Sequence, residues 1–459
     1  MRQVRLGMIG GGTVGSGVFH ALQLNGSLLS SRIGIEVGVQ RIAVKAIDEP
    51  RPYALPRELL TTHWEAVVND PQVDVVTELV GGTTLARTII LAALELGKPV
   101  ITANKALLSA HGEELFAAAN QYGTNLYYEA SVCGGIPIIK SLREGFVGNR
   151  ITHLYGIVNG TCNYILTRMK LEGAEFDDVL REAQREGYAE TEPSLDIDGH
   201  DSLHKIGILA SLAHGFWVEP KDIYVEGIRD ISRADIEFAD QLGYTIKLLG
   251  IIKRVQTGTK PASVPAGTGR SSSRTLRRGS RTKSRVQVSV YPTLIPNSHV
   301  LASVNHVFNA VFARGDIVGD TLFYGRGAGK DATASAVLSD LADAALDLKF
   351  GTKHRLPPFV PHEPDGAVLP IQEVVSRYFV RLNVVDQPGT LARITRILGA
   401  AQIGISSVIQ PEGHAGASVP LILMLHDAPN GTVAKALKQI ARLPVVRPRP
   451  VLLRVETFQ

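Results

Sequence analysis

The chain has little of what marks secreted or membrane proteins. It contains only two cysteines, Cys133 and Cys162, which are too few for a disulfide framework and suit a reducing compartment. No uninterrupted apolar run reaches the roughly 18 residues that a membrane-spanning helix needs. Of its 459 residues, 44% are hydrophobic and 20% are charged, a balance typical of globular proteins. We therefore expect a cytoplasmic protein, and the length predicts two or three domains.

Acidic residues are missing from one stretch, 256–285, which holds eight lysines and arginines. Without those eight positive charges the net charge of +4 becomes about −4, so the basic excess is local. The stretch is rich in Ser, Gly and Arg and poor in apolar side chains, which predicts a disordered surface insertion. It also lacks the aromatic residues that stack on nucleic-acid bases. Neither nucleic acid nor a membrane is therefore an expected partner.

The N-terminus reads as an apolar strand, a glycine turn and a helix. Gly10, Gly12 and Gly15 form a G-x-G-x-x-G motif directly after the apolar segment "VRLGMI". In that context the backbone N–H groups at the helix start can hold a pyrophosphate. Strand and helix patterns then alternate, which predicts a doubly wound, Rossmann-like parallel sheet that binds NAD(P) over residues 1–145.

The end of the second predicted strand, "RIAVKAID", bears on the choice of cofactor. Sites that prefer NAD usually place a carboxylate here for the 2′-hydroxyl of the adenine ribose, whereas this chain has Lys45. A cation suits the 2′-phosphate of NADP. We therefore predict NADP as the cofactor, with NAD as the alternative, because a lysine at a strand end is also a common solvent-exposed residue.

The pattern changes beyond the first domain. Mixed strands and helices predict an α+β substrate and dimerisation domain over 146–350, whose last helix, 325–350, returns to the first domain. The Pro- and Gly-rich segment 351–375 is a predicted linker. Residues 376–459 then read as strand, helix, strand, strand, helix, strand, which is the ferredoxin-like order.

One stretch, 186–207, gathers carboxylates ahead of a single lysine. Asp201 and Lys205 lie four residues apart and share one face of a predicted helix. On a surface such a pair contributes only about 0.3–0.5 kcal/mol. However, further acids, including Glu190 and Asp196, directly precede the helix, which favours a site over a solvated face. The glycine spacing does not match an EF-hand calcium loop.

Several segments together resemble one enzyme family. They are "VITANKALL", "YEASVCGGIPII", "GIVNGTCNYIL", "GYAETEPSLDIDGHDSLHK", "YGRGAG" and the C-terminal "VVDQPGTLARI". In this order they are similar to homoserine dehydrogenase with a C-terminal ACT domain, and the resemblance covers nearly the whole chain apart from the basic insertion. It implies the NAD(P)-linked interconversion of L-aspartate 4-semialdehyde and L-homoserine, a step toward threonine and methionine.

The resemblance also implies roles for individual residues. Lys205 corresponds to the proton donor, Lys105 to a second lysine beside the nicotinamide, and Asp201 to the group that orients Lys205. Glu190, with Asp196 and Asp201, is expected to bind the substrate. The residues expected at the cofactor are Gly10, Gly12, Thr13, Val14, Gly15, Lys45, Thr102, Lys105, Gly187 and Gly327. A monovalent cation such as sodium is expected at Glu129, Val132, Gly134 and Ile136.

The ACT resemblance implies a regulatory site for an amino acid in the C-terminal domain. The expected loop comprises Asp386, Gln387, Pro388 and Gly389, with threonine as the expected effector, in a homodimer or homotetramer. Pairing of ACT domains without a ligand is the alternative. Two other functions stay open at this point: a different amino-acid dehydrogenase on the same frame, and a catalytically idle NADP-sensing regulator. The presence of both lysines and the acids argues against the idle regulator.

Overall fold

The computed structural model describes residues 3–255, 284–352, 355–411 and 416–458, which form two sheets. Most of the predicted basic insertion lies outside these residues. Its last residue, Arg285, differs from the prediction: it is the first residue of a strand, and its guanidinium forms an ion pair of 2.7 Å with a glutamate. No helix within the described ranges is long and apolar enough to cross a membrane.

The first sheet is parallel and six-stranded, with the strand order β3-β2-β1-β4-β5-β6. Its elements are β1 (Gln3–Ile9), α1 (Thr13–Ile33), β2 (Glu36–Ala43), β3 (Leu60–Thr61), α2 (Glu65–Val68), β4 (Val75–Glu78), α3 (Thr84–Glu95), β5 (Val100–Thr102), α4 (Lys105–Gln121) and β6 (Leu126–Tyr127). Successive residues of β1 point to opposite faces, so Met8 and Ile9 belong to two different apolar clusters. The order reverses between β1 and β4, and ligands of such sheets bind at that switch point.

The middle of the chain builds most of the second sheet. Its elements are α5 (Ile138–Lys140), β7 (Ile151–Ile157), α6 (Gly160–Glu172), α7 (Phe176–Arg185), α8 (Ser194–Ile197), α9 (His200–His214), β8 (Tyr224–Val225), α10 (Arg233–Gln241), β9 (Tyr244–Val255), β10 (Arg285–Pro296), β11 (Phe308–Gly315), β12 (Gly319–Arg326) and α11 (Lys330–Phe350). Strands β12-β11-β7-β9-β10 pair antiparallel. The helix α9 lies on this sheet, since Ile206 fills the space above Gly156 and Gly250. The helix α11 returns to the first sheet and packs against α1.

The C-terminal elements continue the second sheet. They are β13 (Ala367–Val368), β14 (Val375–Val385), α12 (Thr390–Ala400), β15 (Ile405–Ile409), β16 (Ser418–Pro429), α13 (Asn430–Ile440) and β17 (Val446–Val455). The strand order β17-β14-β16-β15 is ferredoxin-like, as the sequence predicts. Two pairings, Thr293 with Arg454 and Leu294 with Val455, join β10 to β17 in parallel. The predicted linker contributes β13, which pairs with the start of β10.

Candidate active site

The glycine turn between β1 and α1 has the geometry of a phosphate cradle. Gly10 has a φ of +108°, and a Cβ there would lie 2.5 Å from the carbonyl oxygen of Leu79. A Cβ on Gly12 would meet nothing within 4 Å. The helix begins at Thr13 without a side-chain cap, so its first N–H groups have no partner within the helix. The turn therefore leaves room and hydrogen-bond donors for a pyrophosphate.

A cavity of about 370 Å³ opens beside this turn. It is lined by the three consecutive glycines 10–12, by Lys45 and by residues that sequence reasoning does not assign, including Arg51 and Trp64. Lys45 is exposed at the end of β2. Arg51 donates hydrogen bonds to the carbonyl oxygens of Ile47 (2.8 Å) and Glu49 (2.9 Å), which orders the loop around Lys45. The cavity has the position of an adenosine site in a Rossmann fold.

A second cavity of about 400 Å³ adjoins the first, and Leu79 lines both. Its wall includes Lys105 at the start of α4, Asp201 on α9, and the acids of the 186–207 stretch: Glu190, Glu192 and Asp196. The first turn of α1 contributes Val14 to the same wall. The two cavities together run from the adenosine position to the lysine and the acids, as a dinucleotide and a small substrate require.

The carboxylate of Asp201 joins the two predicted lysines. One oxygen lies 2.7 Å from Nζ of Lys205 and the other lies 3.2 Å from Nζ of Lys105. Lys205 also donates to the carbonyl oxygen of Val158 at 2.7 Å. The side chain of Lys105 is 40% exposed, whereas those of Asp201 and Lys205 are 9% exposed. Lys205 therefore lies behind Asp201 and is not among the residues that line the cavity.

The charges of this cluster depend on one another. Burial opposes the charge on Asp201, but the ammonium groups of Lys205 and Lys105 outweigh it and hold the pKa of Asp201 well below its usual value. Burial likewise opposes the charge on Lys205, yet Asp201 raises the pKa of Lys205 above its usual value. Burial raises the pKa of Asp196 and lowers the pKa of His204, which also lines the cavity. Lys205 is thus a protonated acid at neutral pH.

One residue that sequence reasoning does not single out, Asn159, holds the carboxylates together. Its Nδ2 donates to Asp196 (2.7 Å) and to Asp201 (2.9 Å), while its Oδ1 accepts from the backbone N–H of Cys162 and so caps α6. In the sequence, an Asn before Gly at a helix start indicates only the cap. Its second role depends on contacts with residues 37 and 42 positions away.

A second unassigned residue, Glu78, supports the turn between the two cavities. The side chain is fully buried at the end of β4 and accepts hydrogen bonds from the backbone N–H groups of Val80 (2.9 Å) and Gly81 (3.3 Å). Thr102, one of the predicted cofactor residues, is buried and donates its hydroxyl to Glu78 at 2.7 Å. Thr102 therefore lies beneath the turn and outside the walls of both cavities.

Two other predicted cofactor residues also lie away from the cavity walls. Gly187 follows α7 with a φ of +77°. Gly327 lies between β12 and α11, and its carbonyl oxygen would be 3.0 Å from a Cβ on Gly134. The structure thus brings Gly327 against the predicted cation loop and does not bring it into either cavity. Cofactor contacts of both glycines stay predictions.

The predicted cation loop is a tight turn in which Cys133 (φ 54°) and Gly134 (φ 32°) are left-handed. Glu129 is buried and accepts hydrogen bonds from the backbone N–H groups of Ile139 (3.0 Å) and Lys140 (2.7 Å). Burial raises the pKa of Glu129 to about 7. Among the described residues, no group of three or more His, Cys, Asp or Glu side chains is arranged to hold a metal ion. The loop offers one carboxylate and backbone carbonyls instead.

The predicted regulatory loop connects β14 to α12. Asp386 exchanges backbone hydrogen bonds of 2.9 Å with the neighbouring segment at Gly416 and Ala417. Its Oδ1 accepts from Nε2 of Gln410 at 3.2 Å. Gly389 has a φ of +86° and precedes the first turn of α12, while Pro388 is exposed. The loop therefore lies beside the start of β16 and is remote in sequence from both lysines.

The fold and the two cavities define a class of protein, the NAD(P)-dependent oxidoreductases with a Rossmann-like domain. Comparison with known proteins agrees with this class. The family profile described as "Homoserine dehydrogenase, NAD binding domain" matches residues 10–129, and the profile described as "Homoserine dehydrogenase" matches residues 137–342.

Similar proteins identify the family. The chain is 40% identical to a homoserine dehydrogenase of Pseudomonas aeruginosa over 99% of both chains, and 41% identical to one of Synechocystis over 98% and 99%. A crystal structure of a homoserine dehydrogenase from Thiobacillus denitrificans is 41% identical over 99% of both chains, with a TM-score of 0.89. The chain belongs to the homoserine dehydrogenase family. Its reaction is the NAD(P)-dependent interconversion of L-aspartate 4-semialdehyde and L-homoserine, a step of amino-acid biosynthesis.

Proposed function

We propose that Lys205 is the proton-transfer group of this reaction and that Asp201 orients it. The observation that carries the proposal is the bridging of Lys105 and Lys205 by one buried carboxylate at the cavity wall. The nicotinamide, when bound, supplies or accepts the hydride. Two of the three N–H donors of Lys205 are directed at Asp201 and Val158 within the described chain. We assign the third to a substrate oxygen that reaches past Asp201, since Lys205 itself does not line the cavity.

The charge on the substrate oxygen explains why the chain places cations here. Reduction of an aldehyde develops negative charge on that oxygen, and a nearby ammonium stabilises the charge and then donates the proton. Lys105, on the exposed side of Asp201, adds a second positive charge. The raised pKa of Lys205 keeps its proton available until the oxygen becomes basic. In the reverse direction the same residue, in its neutral amine form, takes the proton back.

The acids of the second cavity supply recognition. Glu190 is exposed on the wall of this cavity, and we assign it to the substrate ammonium, which an exposed carboxylate can bind by a charge-assisted hydrogen bond. Asp196 lines the same cavity, is partly buried and already accepts from Asn159 and Thr161, which holds its carboxylate in place. We therefore assign the ammonium to Glu190 and Asp196 and the reacting carbon to the lysine end.

The cofactor, cation and cellular location are assigned on separate grounds. The exposed position of Lys45 on the adenosine cavity supports NADP over NAD. A monovalent cation at Glu129, Val132, Gly134 and Ile136 would offset the charge of a carboxylate whose pKa burial raises to about 7. The scarcity of cysteine supports a cytoplasmic location.

Regulation is assigned to the ferredoxin-like unit as an ACT domain. We expect an amino acid, with threonine as the first candidate, to bind at Asp386 to Gly389 in a homodimer or homotetramer. The support is the βαββαβ order and the resemblance of "VVDQPGTLARI". Asp386→Ala should weaken inhibition and leave the uninhibited kcat unchanged, because the loop is separate from both cavities. Unaltered inhibition in that variant would place the effector elsewhere.

One assay tests these assignments together. Purified protein is given homoserine with NADP or NAD, in the presence and absence of threonine, and the formation of reduced cofactor is followed by absorbance. We expect oxidation of homoserine with NADP favoured in kcat/KM and with inhibition by threonine. Equal kcat/KM values for the two cofactors would remove the case for Lys45, and the absence of homoserine oxidation would contradict the proposed roles of the lysines.

A further inference from the structure

A buried arginine joins the C-terminal unit to the middle of the chain. Arg454 on β17 is only 2% exposed. Its guanidinium donates to both carboxylate oxygens of Glu226, at 2.7 and 3.3 Å, and to the amide oxygen of Asn430. It also lies over the rings of Tyr224 (5.1 Å) and Tyr291 (4.4 Å). The bidentate bond to Glu226 and the contacts with both rings together hold the guanidinium of Arg454 in one orientation.

The partner, Glu226, follows directly after β8. Its backbone N–H donates to the carbonyl oxygen of Val290 at 2.8 Å, which continues the pairing of β8 with β10. The side chain of Glu226 is 36% exposed, so Arg454 and the hydroxyl of Tyr224 are what orient it. Arg454 therefore orients the carboxylate, and the bond to Val290 anchors the backbone at the same residue.

The next residues of that segment touch the back of the substrate site. A Cβ on Gly227 would lie 2.1 Å from the carbonyl oxygen of Ile197, so the two backbones are in direct contact. The N–H of Ile228 donates to the same oxygen at 2.8 Å. Ile197 is the last residue of α8 and the neighbour of Asp196, whose carboxylate lines the cavity. The segment 226–228 thus packs directly against the C-terminal end of α8.

We propose that Arg454 is a positioning residue for substrate binding: by holding Glu226 it keeps the segment 226–228 against α8 and thereby sets the position of Asp196. This inference rests on the proposed role of Asp196 at the substrate. It gives the C-terminal unit a part in forming the substrate site, in addition to any effector that the unit binds. Removal of the arginine should therefore alter substrate affinity more than the chemical step.

The chain offers a matched control for this effect. Arg381 on β14 also forms a buried ion pair with the middle of the chain, donating to Asp235 at 2.6 and 3.0 Å. Asp235 is fully buried and caps α10 through Ser232, and neither residue lines the substrate cavity. Loss of Arg381 removes a comparable bond between the same two parts of the chain without releasing α8.

The test compares Arg454→Met and Arg381→Met in the full-length protein. Both should lower the melting temperature: Arg381→Met leaves the fully buried Asp235 without its cation, and Arg454→Met removes the buried guanidinium from its bidentate pair with the partly exposed Glu226. Only Arg454→Met should raise KM for homoserine, by about threefold or more, with kcat within about twofold and the Kd for NADP unchanged. An unchanged KM in Arg454→Met, or equal rises in both variants, overturns the proposal.

A milder variant covers the case in which Arg454→Met does not fold. Glu226→Gln keeps an acceptor for the guanidinium at a partly exposed position and should raise KM by about twofold or more. If KM is unchanged in this variant, the proposal fails. The proposed function has its own check, because Glu190→Gln should raise KM whatever Arg454 does. A normal KM in Glu190→Gln would refute the assignment of the substrate ammonium to Glu190. The positioning role of Arg454 is judged separately, by KM in Arg454→Met and Glu226→Gln.

Discussion

Replacement of Lys205 by methionine tests the central assignment. The substitution removes the ammonium 2.7 Å from Asp201 and keeps a side chain of similar length in a position that is 9% exposed. A positioned acid contributes about 10²–10⁴ to the rate of proton transfer, so kcat with homoserine should fall by about that factor. Binding of NADP should change little, because Lys205 lies outside the walls of both cavities.

The structure also limits the effect on stability. Breaking a buried ion pair usually costs about 3–5 kcal/mol. In this variant Asp201 keeps Lys105 at 3.2 Å and the amide of Asn159 at 2.9 Å, so the loss should lie near or below the lower end of that range. The pKa of Asp201 should rise, because one of the two cations that hold it low is gone. Melting temperatures at several pH values measure this directly.

Lys105→Met is the matched variant, since it removes the other ammonium from the same carboxylate. Steady-state kinetics for both variants, with cofactor Kd values from fluorescence titration, separate the two roles. If Lys205 transfers the proton, its replacement lowers kcat more than the replacement of Lys105. A larger loss of kcat in Lys105→Met would show that the exposed lysine is the donor. Retention of more than about a third of wild-type kcat in Lys205→Met would refute the assignment outright.

Other predictions concern cofactor choice, the site scaffold and pH. Lys45→Glu should raise the Kd for NADP by about tenfold and leave the Kd for NAD unchanged. Equal changes in the two Kd values, measured by titration, would refute the 2′-phosphate contact. Asn159→Ala should lower stability by about 1–3 kcal/mol and raise KM for homoserine, since Asp196 and Asp201 each lose a donor. Burial lowers the pKa of His214 to about 3. Below about pH 6.5 the unfolded chain therefore binds a proton at His214 that the folded chain does not, and the free energy of unfolding falls by about 2 kcal/mol at pH 5. His214→Leu should remove that part of the pH dependence of the melting temperature, and an identical pH dependence would contradict it.

The sequence predicts the doubly wound parallel class of the first sheet because the signals are local. A glycine turn after an apolar strand and the repeated alternation of strand and helix require right-handed crossovers, which leave few other arrangements. The contact between Asp201 and Lys205 is predicted for the same reason, because two residues four positions apart on a helix lie on the same face within reach of each other. The homoserine dehydrogenase resemblance and the reaction it implies are likewise confirmed by the family match.

The long-range contacts could not be predicted. Strand β10 pairs with β9 along one side and with β8, β13 and β17 along the other, and nothing in its sequence distinguishes those partners. The continuous sheet that results, and the burial of Arg454 within it, therefore appear only in the structure. The same holds for Asn159 and for the approach of Lys105 to Asp201, each of which depends on contacts between distant parts of the chain.

Burial separates the acids of the 186–207 stretch into groups with different surroundings. Asp201 is almost fully buried against two lysines, so its charge is neutralised locally, as the proposed orienting role requires. Glu190 lies exposed on the cavity wall, where its charge is available to a solvated ammonium. Asp198, outside the cavity, pairs with Arg229 instead. In the proposed assignment, a substrate with an ammonium at one end and a carbonyl at the other meets an acidic surface first and a buried cation second. That order fits a reaction whose negative charge develops only at the carbonyl.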